Sequence, residues 1–497
     1  MQNTLSVISS LLIINLLLLL FSVSSNAQTI NFNDSLYVDK TIKKGNYPLR
    51  PYVDIGKALM SGVIIKEGKI ISESMLQSIG STTFTLSNGI KVHYKFTDKN
   101  KNDVQLRAIS YGGLSLIKDQ DLPSAQLLAK FIIKSGLGNH SAIDLSKILV
   151  DNTAKTDIHI SNITESINGF STTKDVETLL QMIHLRFVNP RFDKDVYQVV
   201  IENLNNYITK RCHDINEKIK DSVTATLYGN NHPKRRLFNN EFIKDVSFDK
   251  IKVVYMERFN NAADFEFFIV GDLQKRALRS LLEKYIASIP INDTKETWQD
   301  NSVSWLEDMI DKKIPLIMEN PKSEVRIGYK NMMNYSLKNV LVARALGDIL
   351  EFRLTEILQE QVEGYRGNVK VSVQKRPIEQ ASLQIAFDCN PDKIDQLIAM
   401  VNQEIKNIAN GTITRTDLNE IKSDYLKERK QEQDYNSYDI QVLINYFRED
   451  YNMNDPKNSE DLVNTITIKD IEAFTEALIK DSKSYKIVFS QDLKVKK

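Results

Sequence analysis

The chain has 497 residues, with 65 Lys+Arg against 64 Asp+Glu, 42% hydrophobic residues and two cysteines. That length calls for more than one hydrophobic core, and 18 Gly and 11 Pro in a charge-balanced chain exclude collagenous, low-complexity or disordered classes. A net charge of +1 excludes the strongly basic footprint of a nucleic-acid-binding domain.

The first element in chain order is a targeting signal. Leu11 to Phe21 is apolar apart from Asn15, and Ser22-Val23-Ser24-Ser25-Asn26-Ala27 follows. Ser25 and Ala27 supply the small residues at −3 and −1 of a cleavage site, so residues 1–27 are expected to be a signal peptide removed after Ala27. No Lys or Arg precedes the apolar block, a departure from the usual pattern that leaves an uncleaved anchor as the alternative, and no cysteine lies at the cleavage site to carry a lipid anchor. The mature chain is therefore expected to be exported, to the periplasm. In an oxidising compartment Cys212 and Cys389 are open to two readings, a disulfide or two separate thiols.

Residues 28–80 read as a polar, irregular N-terminal extension. Thr82-Phe84-Leu86 and Ile90-Val92-Tyr94 alternate around Ser87-Asn88-Gly89, which predicts a hairpin, because Asn-Gly accepts the positive φ of a tight turn. Val104–Ser110 continues as a strand that ends at Gly112-Gly113. Pro123 then opens a helix with Leu127, Leu128, Phe131 and Ile132 on its apolar face and Gly136 as its stop. Helices are predicted over Val176–Phe187, Asp195–Lys210 and Leu273–Ile289, and a strand over Phe265–Val270.

A polar stretch, residues 293–312, reads as a linker, after which the same grammar recurs. A strand at Val325–Tyr329 leads to a long helix from Ser336 to about Gln361, then strands at Val369–Val373 and Ser382–Phe387. Asn390-Pro391 caps a helix whose apolar residues follow a 3.6 period up to Gly411, another helix starts near Thr416, and Tyr485–Phe489 is a last strand. The recurrence predicts an α+β fold with two consecutive domains, residues 81–292 and 313–497.

Chemistry is conspicuous by what the motifs lack. The six histidines, His93, His140, His159, His184, His213 and His232, never fall within five residues of one another. No helix can therefore present an H-x-x-x-H, H-E-x-x-H or H-x-x-E-H pair to zinc, which excludes a self-contained zinc hydrolase of that kind. No G-x-S-x-G elbow, phosphate loop or dinucleotide-binding turn is present. His232, in Tyr228-Gly229-Asn230-Asn231-His232-Pro233, reads as part of a structural turn, and Lys234-Arg235-Arg236 as a solvated corner.

From Thr82 onward the chain resembles the second, non-catalytic half of the insulinase/pitrilysin-type zinc metallopeptidases. The resemblance is carried by Thr82–Val92 around Asn88-Gly89, then by Tyr111-Gly112-Gly113, Ser135-Gly136-Leu137-Gly138 and Phe187-Val188-Asn189-Pro190-Arg191-Phe192. Tyr228–Arg236, Phe268–Asp272 with Ala287-Ser288-Ile289-Pro290, and Leu350–Gly364 follow in the expected order. It implies two tandem insulinase-like domains, each an antiparallel-rich sheet with helices packed on one face, in a protein whose two halves enclose a peptide chamber.

In a catalytic half an H-x-x-E-H helix follows the Gly-Gly strand. The matching helix here places Gln126 and Lys130 at the two histidine positions and Ala129 at the general-base position. Protonated Lys130 donates only, and Ala129 cannot accept a proton from water. Glu202 falls near the third-ligand position, but lies opposite the apolar stripe of its helix and reads as a surface carboxylate. The non-catalytic half of the family holds substrate with an Arg and a Tyr; aligned on Gly364, Gln359 takes the Arg position and Arg366 the Tyr position, with Tyr365 displaced by one. A one-residue shift in a strand turns a side chain to the other face. Arg366 is thus open to two readings, a donor to a peptide carbonyl or a surface arginine.

The resemblance implies an exported, non-catalytic subunit that completes the peptide-binding chamber of a partner chain carrying H-x-x-E-H, with zinc in that partner and none in this chain. The alternative is a pseudo-enzyme that binds peptides or acts as a scaffold, as a homodimer. An autonomous peptidase with an unfamiliar site is the third reading, and the missing histidines speak against it.

Overall fold

In the computed structural model, residues 58–292, 294–318, 322–359, 367–449 and 456–491 are described. The expected signal peptide, the extension up to residue 57, and both Tyr365 and Arg366 lie outside them. The described chain divides into two compact units. One takes in residues up to Leu204 together with Ile243–Trp298, the other Asn205–Phe242 together with residues from Gln299 onward.

The first unit is built on a seven-stranded sheet ordered β1-β2-β3-β7-β4-β6-β5. Its strands are β1 (Ile70–Leu76), β2 (Ser81–Leu86), β3 (Lys91–Phe96), β4 (Val104–Tyr111), β5 (Lys155–Ile160), β6 (Thr164–Ser171) and β7 (Glu266–Gly271). Neighbours are antiparallel except β3 and β7. The β2–β3 hairpin turns at Gly89, whose φ of 84° is the left-handed value that Asn-Gly signalled. On β4, Val104, Leu106, Ala108 and Ser110 are buried while the residues between them are half-exposed, the period-2 pattern of a strand with one covered face.

Helices α1 (Leu122–Lys134) and α3 (Val176–Val188) pack against β5, and α3 also against β6, while α2 (Ala142–Ile148) lies between them in sequence. The unit also holds α6 (Asn240–Asp245) in part, α7 (Phe248–Phe259) and α8 (Lys275–Leu281), which continues as a π-helical turn over Leu282–Ile286. Residues 70–76 correct the irregular extension expected there. All interior positions of β1 are exposed, so it shows none of the alternation that marks a strand. Backbone pairing to β2 holds it, helped by the Gly68 N–H, which donates to the Glu283 carbonyl at 3.0 Å.

The second unit has a five-stranded sheet ordered β10-β11-β9-β12-β8, antiparallel except for β12 against β8. Its elements are β8 (Met309–Pro315), β9 (Ser323–Met332), α9 (Leu337–Gln359), β10 (Gly367–Gln374), β11 (Gln380–Cys389), α10 (Ile394–Ala409), α11 (Arg415–Glu432), α12 (Asn436–Glu449), α13 (Pro456–Thr465), α14 (Ile468–Ile479) and β12 (Lys483–Ser490). Val325, Ile327, Leu383, Ile385 and Phe387 form one sheet face, covered by Leu346, Leu350 and Leu354 of α9, Leu397, Val401 and Ile405 of α10, and Phe474 and Leu478 of α14. Helices α11 and α14 each start with a capping box, Thr414 with Asp417 and Thr467 with Asp470.

The opposite face of this sheet is also partly covered. Helix α5 (Ile215–Tyr228), which follows α4 (Lys194–Arg211), brings Ile219 and Leu227 to a cluster with Trp305, Ile310, Tyr485, Ile487 and Phe489. Part of the stretch expected to be a linker therefore has structure: Trp305 is buried and β8 begins at Met309. Cys212 and Cys389 are separate thiols, the first exposed and the second buried.

Candidate functional site

The face of α1 that carries Gln126, Ala129 and Lys130 is positioned from both ends. At its start, Pro123 lies in the first turn and the Ser124 hydroxyl accepts a hydrogen bond from the Ser247 N–H at 3.0 Å. Lys250 reaches across to Asp121, 3.3 Å away, and donates to the Gln120 carbonyl at 2.7 Å. Near its end, Phe131 is fully buried against the rings of Phe192, Tyr197 and Phe248. With Leu127, Leu128, Phe131 and Ile132 turned inward, Gln126, Ala129 and Lys130 share the remaining half-buried face, as spacings of three and four residues require.

These three side chains do not fit zinc. Gln126 has a neutral amide whose buried Oε1 has no hydrogen-bond partner, Ala129 has no donor atom, and a lysine ammonium beside a dication is repulsive. Glu202 lies on α4, exposed, between the buried Val200 and Leu204. Among the described residues no group of three His, Cys, Asp or Glu side chains is placed to hold a metal ion. Gln359 is exposed at the last residue of α9. The structure thus gathers Gln126, Ala129 and Lys130 on one helix face and leaves Glu202 on a solvent-facing one.

The Gly112-Gly113 turn between β4 and α1 carries an electrostatic centre that the sequence reading missed. Gly113 has a φ of 55°, and a Cβ there would come within 2.5 Å of the Ser161 carbonyl oxygen, so only glycine fits. Its N–H donates to Glu165 Oε2 at 2.5 Å. Glu165 is 1% exposed, and burial pushes its carboxyl up to about 7 against the opposing pull of the Gly113 N–H and of Arg258. Arg258, itself buried, pairs with Glu296 at 2.9 Å and stands against Gly112. One signal was available: in Thr164-Glu165-Ser166-Ile167 the carboxylate is in phase with the fully buried Ile167. This centre braces the turn that leads into α1, and the buried Ser110 hydroxyl also hydrogen-bonds the Glu165 carboxyl.

Comparison with known proteins places the chain in context. Residues 245–425 match the family model described as the Peptidase M16 inactive domain. The chain is 23% identical over 332 residues to "Probable zinc protease PqqL" of Haemophilus influenzae, covering 66% of this chain and 35% of that protein. It is 22% identical over 409 residues to the Escherichia coli protein of the same name, covering 80% and 42%. The chain therefore spans less than half the length of these curated relatives. Among solved structures it is similar to the periplasmic protease PqqL from Escherichia coli, with a TM-score of 0.75 at 20% identity over 90% of this chain and 49% of that one. The separately solved first half of that protease aligns with a TM-score of 0.64 at 15% identity over 83% of this chain and 92% of that one. At these identities the structural matches establish the fold.

Proposed function

As the chain is homologous to the PqqL zinc proteases, and so to the insulinase/pitrilysin family, we propose that it is the non-catalytic half of a two-part peptidase. It completes the peptide chamber of a separate chain that carries H-x-x-E-H and the zinc. The observation that supports this is on α1, where the positions that the resemblance gives to the two histidines and the general base hold Gln126, Lys130 and Ala129, a set that does not suit zinc or accept a proton from water. The match to the inactive-domain model supports the same role. Export to the periplasm through the segment 1–27 belongs to this proposal, and the E. coli relative described as periplasmic supports it. No described helix is long and apolar enough to cross a membrane.

Affinity capture on the tagged chain from its source organism, followed by identification of what is bound, tests the pairing. The expected catch is a chain of similar fold with an intact H-x-x-E-H motif, present in equimolar amount. A chain that elutes only as a monomer or a homodimer, with no such protein, would favour the peptide-binding pseudo-enzyme instead.

A further inference from the structure

The strand β1 has no part in the pairing proposed above. It is the last strand on its side of the first sheet, so one side of its backbone meets no other strand among the described residues. Such a side is a row of amide donors and carbonyl acceptors, a template for a further strand. The Ile70 N–H, at the start of β1, is already used by Glu283 Oε1 at 3.2 Å. From Ile71 to Met75 every residue is exposed, Ile71 at 65% and Met75 at 69%. β1 contains no Lys or Pro to blunt this edge; it has a bulge beside Ile71 and one charge, Glu73.

That charge is already neutralised within the unit. Lys275 of α8 lies 2.8 Å from Glu73, and Arg279 of the same helix pairs with its other oxygen. The order of residues in β1 then identifies the strand it suits. Ile70-Ile71-Ser72-Glu73-Ser74-Met75-Leu76 has the same chemical types in both directions: two apolar residues, Ser, Glu, Ser, two apolar residues. Reversal about a centre is what an antiparallel pair of identical strands requires, because a two-fold axis sets residue i opposite j and j opposite i. With the axis at Glu73, Ile71 opposes Met75 of the other copy and Ser72 opposes Ser74, apolar on apolar and hydroxyl on hydroxyl. The two Glu73 carboxylates face each other at the axis, and the Lys275 and Arg279 of each copy offset that like-charge contact. An axis one residue away, at Ser72 or Ser74, sets Glu73 against Ile71 or Met75 instead.

We propose that β1 is the docking surface for a second copy of this chain: the two β1 strands pair antiparallel about Glu73 and join the two seven-stranded sheets into one. The dimer does not depend on the chamber role, since it needs only this chain.

Sedimentation velocity on the full chain tests this. One strand pair makes a small, weak interface, so monomer and dimer should exchange between about 1 and 100 µM. Met75→Lys, at an exposed position, should weaken the dimer at least about tenfold, with the thermal midpoint confirming an intact fold. Oxidative cross-linking reads the register, in a Cys212→Ser background that removes the exposed thiol. Ser72→Cys and Ser74→Cys chains should form a disulfide-linked dimer when mixed, because the two positions oppose each other, and neither should do so alone. A chain that stays monomeric at about 100 µM would overturn the proposal. So would a dimer indifferent to Met75→Lys, or cross-linking of either cysteine variant by itself as fully as the mixture. None of these results bears on the capture of an H-x-x-E-H chain, so failure of the dimer and failure of the chamber role are read separately.

Discussion

At the residue scale, the clearest physical statement concerns Glu165. A carboxyl that titrates at about 7 when folded, against 4.5 for an ordinary glutamate, retains its proton in the folded state over a range where the unfolded chain has lost it. Stability contributed by this group is therefore complete below the lower value and falls as pH rises through the window, by at most about 3 kcal/mol. Glu165→Gln fixes the neutral form, so thermal midpoints measured from about pH 5 to about pH 8 should fall less steeply in the variant than in the parent. Identical slopes would show that the carboxyl titrates normally. The sequence held part of this information, since Glu165 shares the buried phase of β6. What it could not show is that Arg258, far along the chain, would be brought to the same turn. By contrast, that Gln126, Ala129 and Lys130 share one face of α1 was legible in full, because helical spacing alone decides it.

At the element scale, elements with strong punctuation were legible and two of the edge strands were not. The β2–β3 hairpin announced itself through Asn88-Gly89, and α1 through Pro123 and Gly136. β1 and β8 lie at sheet edges with mostly exposed side chains, so neither has an alternating pattern, and only backbone pairing to a neighbour makes them strands. The contact between β9 and β12 gives a sharp expectation. Gly328→Ala places a methyl group into the Tyr485 ring and should destabilise the second unit by about 1–3 kcal/mol in urea unfolding. Thr467→Ala removes the hydroxyl that accepts the Asp470 N–H at the start of α14, and should cost about 1 kcal/mol by the same measurement. A neutral result in the first case would mean that Tyr485 can leave the strand freely.

At the scale of the whole molecule, chain order and spatial order part company. Residues 205–242 precede β7 in sequence, yet they group with the second sheet, where α5 covers part of the face turned away from α9 and α10. Periodicity shows that α5 has an apolar stripe but is silent about which sheet receives it. That the chain builds two sheets with helices was legible, because strand-then-helix grammar recurs on either side of residue 300. On this framework the proposal of a half that shapes a chamber and leaves catalysis to a partner rests on the fold shared with the PqqL protease and on Gln126, Ala129 and Lys130 lying together on α1. The most direct test is a titration of this chain into a fixed amount of the purified H-x-x-E-H partner, followed by the rate of cleavage of a quenched fluorescent peptide. The rate should rise to a plateau at one chain per partner, vanish on chelation and return with zinc, while this chain alone remains inactive. A partner whose rate is unchanged at every ratio, or a zinc-dependent rate from this chain alone, would contradict the assignment.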